Sequence, residues 1–243
     1  MIDLHAHILP GYDDGVRSLE EARELARSAA AEGVTAIAAT PHVRDDYPTT
    51  VERMLRGVAL LRDDFAREGI PVDVLSGGEL DLDRMWELGP DELPRFTLAG
   101  TGRWLLVEMP YSGWPLLFDR KLEALRRLGM EALLAHPERN ADVQAEPARL
   151  APLVEAGLRV QVTAASVDGR LGRKPLECAQ ALLELGLVHV LATDAHAPAV
   201  RETGLAAAVE ALGDAALAHR LTVENPQAIV SGSPVVVADG HAR

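Results

Sequence analysis

The chain has 243 residues, 48% of them hydrophobic, with 37 acidic against 24 basic side chains and a formal net charge of −13. That balance argues against nucleic acid as a main partner, because a phosphate backbone is bound by a basic face. The single cysteine, Cys178, excludes an internal disulfide and a thiolate metal cluster, and no apolar run reaches the roughly 18 residues of a membrane span.

Apolar runs rich in β-formers alternate with amphipathic stretches along the chain. The strand-like runs cover residues 2–5, 34–39, 72–75, 104–107, 132–135, 159–162 and 188–192. Most are apolar through consecutive positions, the pattern of strands covered on both faces. Ser18 followed by Glu21 reads as a capping box for a helix running to about Ala31. Thr50 caps a second helix over 51–68, and further helices are predicted over 117–128, 148–155, 175–185 and 200–212. Glycines 33, 69, 129, 157 and 186 each close a helix and feed the next strand. Residues 81–101 are less regular. The alternation predicts an α/β fold with parallel strands and outer helices. Residues 1–230 form one barrel-type domain in this reading, and 231–243 a mobile tail.

Ionisable residues gather just after these runs. His5 and His7 end the first, Asp14 follows in D-D-G, and His42 closes T-P-H after the second. Glu79 follows the third, Glu108 the fourth, His136 the fifth, and Asp194 and His196 the seventh. In a parallel barrel the loops after the strand ends converge on one face. Five of the eight histidines fall in this set; His189, His219 and His241 read as structural or exposed. Gln161 and Thr163 stand where the sixth run meets the same face. The donors are imidazole and carboxylate only, which suits Mn, Fe or Zn at a hydrolytic centre. So many ligands exceed one ion, and two or three clustered metals stabilise in-line displacement at phosphorus. Arg139 and Arg201 stand where they can reach the same rim, and the planar fork of arginine suits a phosphate. Cys178 reads as a buried structural residue, and the position five residues plus one beyond it is Glu184, so no C-x5-R phosphate loop exists. The lack of room for a signal before His5 makes a cytoplasmic protein the expectation.

These residues carry a resemblance. The opening 1–15, with D-L-H-A-H and D-D-G, resembles the start of the PHP (polymerase and histidinol phosphatase) superfamily. Together with T-P-H at 40–42, G-G-E at 77–79, V-E at 107–108, H-P-E-R at 136–139, T-D-A-H at 193–196 and E-N-P at 224–226, it resembles the bacterial manganese-dependent tyrosine-protein phosphatases of capsule and exopolysaccharide synthesis. The resemblance implies a distorted barrel of about seven βα units holding up to three Mn ions. One would take His5, His7, Glu79 and Asp194; a second Glu79, Glu108 and His136; a third Asp14, His42 and His196. Arg139 and Arg201 match positions that hold the substrate phosphate. The implied partner is a phosphotyrosine-containing protein, a tyrosine kinase of the polysaccharide machinery. Val43 departs from the pattern, where a second histidine is frequent, as do Thr193 for serine and residues 44–50. A histidinol-phosphate or other small-molecule phosphatase, an amidohydrolase or TatD-type nuclease, and a non-catalytic PHP module regulating a kinase remain alternatives. The first keeps the metal chemistry and changes only the substrate.

Overall fold

The computed structural model describes residues 1–197 and 204–235. Strand β1 (Ile2–Ala6) leads to helix α1 (Leu19–Ala31). The second apolar run forms β2 (Ala36–Ala39), and β3 (His42–Arg44), the short β4 (Tyr47–Pro48) and α2 (Val51–Glu68) follow it. The third run likewise forms β5 (Asp73–Ser76), and a further strand, β6 (Glu79–Asp81), follows it. Three short 3-10 turns then lie between Arg84 and Gly100, where the sequence is least regular. Next come β7 (Trp104–Glu108), α3 (Phe118–Arg127), β8 (Glu131–Ala135), α4 (Ala141–Ala145) and α5 (Ala151–Glu155). The chain continues through β9 (Arg159–Thr163), α6 (Ala164–Val167), α7 (Arg173–Glu184) and β10 (Val190–Ala192). Helices α8 (Leu205–Leu212), α9 (Ala215–His219) and α10 (Asn225–Val230) complete the described part.

All seven predicted runs contain a strand. The helix expected over 148–155 is divided, because Pro152 lacks the N–H that would continue the bond pattern, and the helix restarts at Ala151 after a 3-10 turn. Ser18 Oγ accepts the Glu21 N–H, as a cap should; the Glu21 carboxylate reaches the N–H of Arg17 rather than that of Ser18. Of the helix expected over 200–212, residues 200–203 lie outside the described residues.

Strands pair in parallel in the orders β1-β2-β5 and β10-β9-β8-β7-β6-β3, with β4 antiparallel at the edge. The steps from β2 to β3 and from β5 to β6 carry the chain from one sheet to the other. A Cβ on Gly77 would stand 2.9 Å from Leu98 Cδ2, and one on Gly78 2.9 Å from Phe96 Cδ1. Only glycine admits the 3-10 segment so close to the break. At the other seam, Asp194 N–H donates to His5 O (2.8 Å) and His7 N–H to Ala195 O (2.9 Å), beside an isolated parallel bridge between Ala6 and Ala195. Seven strand positions therefore follow one another through two sheets that meet at this seam, the α/β arrangement of parallel strands and outer helices that the alternation predicts.

Consecutive strand residues divide between two apolar clusters. Leu105 and Val107 of β7 enter the larger, with helix residues such as Phe118, Leu122 and Leu125, while Trp104 and Leu106 enter the smaller. Strand β8 divides the same way, with Ala132 and Leu134 against Leu133 and Ala135. Burial on both faces is the reason the runs read as continuously apolar. Of the segment read as a tail, Val235 is buried in the smaller cluster and Ser233 O accepts the Trp104 indole N–H at 3.0 Å; 236–243 lie outside the described residues. Among the described residues no helix is long and apolar enough to cross a membrane.

His189 and Cys178 are both buried, and His219 is exposed; His241 lies outside the described residues. His189 Nδ1 accepts the Val160 N–H at 3.2 Å, and its burial, with Arg159 nearby, pushes the imidazole pKa down to about 3. Between that value and the roughly 6.5 of a free imidazole, only the unfolded chain binds the proton, so this group withdraws stability as pH falls. From pH 7.5 to 5 the expected loss is about 2 kcal/mol. His189→Asn keeps an acceptor near the Val160 N–H without the titration. Denaturant melts at the two pH values should show a smaller drop for the variant than for the parent; equal drops would reject the assignment.

Candidate metal centre

The turn after β1 is held against its own histidine. A Cβ on Gly15 would lie 2.3 Å from His7 O and 2.4 Å from His7 Cβ, so the D-D-G glycine is required for close approach. This places Asp13 and Asp14 on opposite tasks. The Asp13 carboxylate accepts from His7 Nδ1 (2.8 Å), from the His42 N–H (2.9 Å) and from the Gly15 N–H (3.0 Å). Burial would raise its pKa, but these partners outweigh it and hold the carboxyl at about 2. Asp14 turns outward to His42 Nε2 (3.4 Å) and His196 Nε2 (3.5 Å).

Glu79, at the start of β6, is fully buried among four imidazoles. Its Oε1 lies 3.4 Å from His5 Nε2 and 2.8 Å from His136 Nε2; its Oε2 lies 3.3 Å from His7 Nε2 and 2.8 Å from His42 Nδ1. Asp194 Oδ1 stands 3.2 Å from His5 Nε2 and 3.4 Å from His7 Nε2. Glu108, ending β7, lies 3.3 Å from His42 Nδ1. All nine residues anticipated as ligands thus meet in one cluster.

Backbone strain aims two of them. His136 (φ 33°) and Asp194 (φ 53°) are non-glycine residues in the left-handed region. Such conformations cost about 1–3 kcal/mol and persist where surrounding structure holds them. Here they turn the side chains after β8 and β10 back over the strand ends.

Burial disfavours charge on the histidines, yet Glu79 and Asp194 outweigh it for His5, and Asp13, Asp194 and Glu79 raise His7 well above a free imidazole. His42 reaches about 9 against its burial, through Glu108 and Glu79. Glu79 is correspondingly held well below the usual carboxylate range, against burial, by His5, His136 and His42.

The donor chemistry fits metal ions. Asp13 accepts from His7 Nδ1, and Gln161 Oε1 lies 3.0 Å from His5 Nδ1, so in the neutral rings both Nε2 lone pairs face inward, 3.3 Å apart. Glu79 Oε2 and His42 Nδ1 are buried without a hydrogen-bond partner although 2.8 Å apart. Converging lone pairs and carboxylates of this kind suit a hard or borderline cation. Four groups offer ligand atoms within 4.8 Å of one another: His7-Asp14-His42-His196, His5-His7-Asp194, His5-Glu79-His136 and His42-Glu79-Glu108. The first contains the implied third set and adds His7. The implied second set is divided, with Glu108 drawn towards His42 and Arg44, whose Nη1 lies 3.3 Å away, and His136 towards His5.

A cavity of about 380 Å³ opens over the cluster and is lined by Arg44, Tyr111, Arg139 and Leu171 besides the ligands. Arg139 Nη1 donates to Asp194 Oδ2 at 2.6 Å. Arg201 lies outside the described residues. Gln161 and Thr163 reach the site from β9, as their positions suggest. Asp13 and Arg44 escape a search for ligands after strand ends: Asp13 is hidden by its neighbour in D-D-G, and Arg44 lies in a segment without pattern. Asp13→Ala is expected to weaken metal binding by about 10–100-fold, the usual cost of losing a carboxylate behind a ligand histidine. A metal titration checks this; unchanged affinity would remove Asp13 from the metal-binding framework.

An α/β barrel whose strand ends converge on a buried cluster of imidazoles and carboxylates belongs to the architecture of metal-dependent hydrolases. The family model for capsular polysaccharide synthesis, CpsB/CapC, matches residues 1–231, and the chain belongs to this family. It is 33% identical to the tyrosine-protein phosphatase YwqE of Bacillus subtilis over 198 residues, 81% of this chain and 77% of the relative. It is 27% identical to the tyrosine-protein phosphatase CpsB of Streptococcus pneumoniae over 241 residues, 95% of this chain and 98% of the relative. A solved structure from the pair YwqE of Bacillus subtilis and CpsB of Streptococcus pneumoniae, described as metal-dependent tyrosine phosphatases, aligns with a TM-score of 0.89. It is 30% identical and covers 98% of this chain and 97% of that one.

Proposed function

We propose that the protein is a metal-dependent phosphomonoesterase that removes phosphate from phosphotyrosine in a protein, with two or three Mn ions as its cofactor. The observation that carries this reading is the buried cluster around Glu79, with the Arg139 guanidinium at its edge under an open cavity. His5, His7, Glu79 and Asp194 would hold one ion, Glu79, Glu108 and His136 a second, and Asp14, His42 and His196 a third. When bound, such ions supply Lewis acidity at the phosphoryl oxygens and an activated water.

The chain's own residues perform the remaining work. Asp13 and Gln161 fix the rings of His7 and His5. Arg139 stays protonated, since Asp194 outweighs the effect of its burial, and it offers fork geometry to the transferring phosphoryl group. Arg201 is proposed to share this task. The leaving tyrosinate needs little protonation because its pKa is near 10. A tyrosine kinase of polysaccharide synthesis is the proposed substrate, and a cytoplasmic location is proposed with it. The single domain is proposed to span 1–230, with residues 231–235 packed against it.

Phosphate release from a phosphotyrosine peptide and from histidinol phosphate, each with Mn and with chelator, tests the reading. Metal-dependent release from the peptide is expected, and chelator should abolish it. Preference for histidinol phosphate would reject the substrate and keep the metal chemistry.

A further inference from the structure

One aromatic ring at the cavity is left in the open. Tyr111 is 51% exposed, while its neighbour His136, ring centroids 6.2 Å apart at 25°, is 3% exposed. An aromatic side chain in water is ordinarily unremarkable as a single surface residue. This one is held in place. Asn140 Nδ2 donates to Pro110 O (2.7 Å) and Gly113 O (3.0 Å), the Ala141 N–H donates to Tyr111 O (2.9 Å), and the Gly113 N–H donates to Asp142 Oδ2 (2.8 Å). The same Asn140 caps α4 through its Oδ1, accepting from the N–H groups of Asp142 and Val143. The loop after β7 is therefore fastened on both sides of Tyr111 to the first turn of the next helix.

The Arg139 guanidinium carbon lies 4.9 Å from the Tyr111 ring centroid. The ring thus borders the group that faces the phosphate, and one of its faces is already used by a cation. A cationic leaving group would also have to approach Arg139 and Arg44, which both line this cavity. A neutral, flat one meets no such repulsion. Leu171, 42% exposed, supplies further apolar surface to the same cavity. Ionisable residues at depth with an aromatic and an aliphatic side chain nearer solvent match a phosphoryl group joined to a ring.

We propose that Tyr111, aided by Leu171, is the subsite for the ring of the leaving group and makes the site prefer aryl over alkyl phosphomonoesters. The inference rests on the phosphomonoesterase reading and adds the residue that selects among its substrates. The contribution comes from the ring of Tyr111 and its hydroxyl is dispensable.

Calorimetric binding of phenylphosphonate and methylphosphonate to the metal-loaded protein tests it without turnover. The two share a headgroup and differ in the ring. The parent should bind phenylphosphonate about tenfold more tightly, within reach of one aromatic pair plus its buried area. Tyr111→Ala should remove most of that preference and leave methylphosphonate within about twofold, while Tyr111→Phe should retain it. Leu171→Ser, at a separate exposed position, should reduce the preference in part. Equal binding of both ligands by the parent, or an undiminished preference in Tyr111→Ala, overturns the proposal. Metal-dependent hydrolysis of a phosphotyrosine peptide alongside equal binding would reject this subsite and leave the functional reading standing. Conversely, a Tyr111-dependent ring preference without peptide hydrolysis would support the subsite and reject phosphotyrosine protein as the substrate.

Discussion

Replacing Glu79 by glutamine is expected to cut phosphate release on the order of a thousandfold or more, beyond the roughly 10–100-fold cost of an outer-shell partner. No other carboxylate among the described residues stands within 3.4 Å of four histidine side chains. The substitution preserves volume and shape, so packing around β6 is untouched. What it removes is the negative charge on which the other donors converge. His5, His7, His42 and His136 each owe part of their placement to it, and a cation bridged there would lose its shared ligand. Metal content per chain should fall together with activity. The relevant comparison is metal analysis and kinetics on the same dialysed sample, because a fall in activity alone would also follow from misplacement of substrate. If the variant keeps its metal and its rate within about tenfold, Glu79 is not the centre of the site.

The prominence of Glu79 is a fact of the fold and not of its local sequence. On its own, a glutamate after G-G is an ordinary surface residue. It becomes significant because six of the seven apolar runs end in a donor, and a parallel barrel brings those ends together. That regularity made the nine candidate ligands, the strand runs and the barrel class legible. Three things were not legible. The break between β5 and β6 follows from how the Gly77-Gly78 pair packs against Leu98 and Phe96, a long-range contact without a local period. The role of Asp13 depends on which of two adjacent carboxylates the turn directs inward, and Gly15 pressed against His7 decides it. The grouping of ligands depends on distances: Glu108 falls beside His42 and Arg44, and an arginine in an unpatterned segment gives no sign of where it will reach.

Arg139→Ala is expected to lower kcat/KM for an aryl phosphate by about 10²–10³-fold, the range for removing one preorganised donor to developing negative charge. Arg139→Lys should recover little of it, because an ammonium presents a point charge where the guanidinium presents a planar fork. The difficulty is that Arg139 also binds Asp194 at 2.6 Å, so a loss of activity has two possible origins. Either the guanidinium meets the phosphoryl oxygens, or it only orients a carboxylate of the metal cluster. The two differ in what the metal does. Direct contact predicts unchanged metal affinity, weaker binding of inorganic phosphate, and partial rescue of the alanine variant by added guanidinium. Action through Asp194 predicts metal affinity falling in step with the rate, and no rescue once metal is saturating. Because Asp194 has two oxygens, with Oδ1 near His5 and His7 and Oδ2 on Arg139, the metal-facing oxygen keeps its histidine neighbours when the arginine is gone. That division of labour between the two oxygens favours the first outcome, and metal affinity that falls together with rate would reject it.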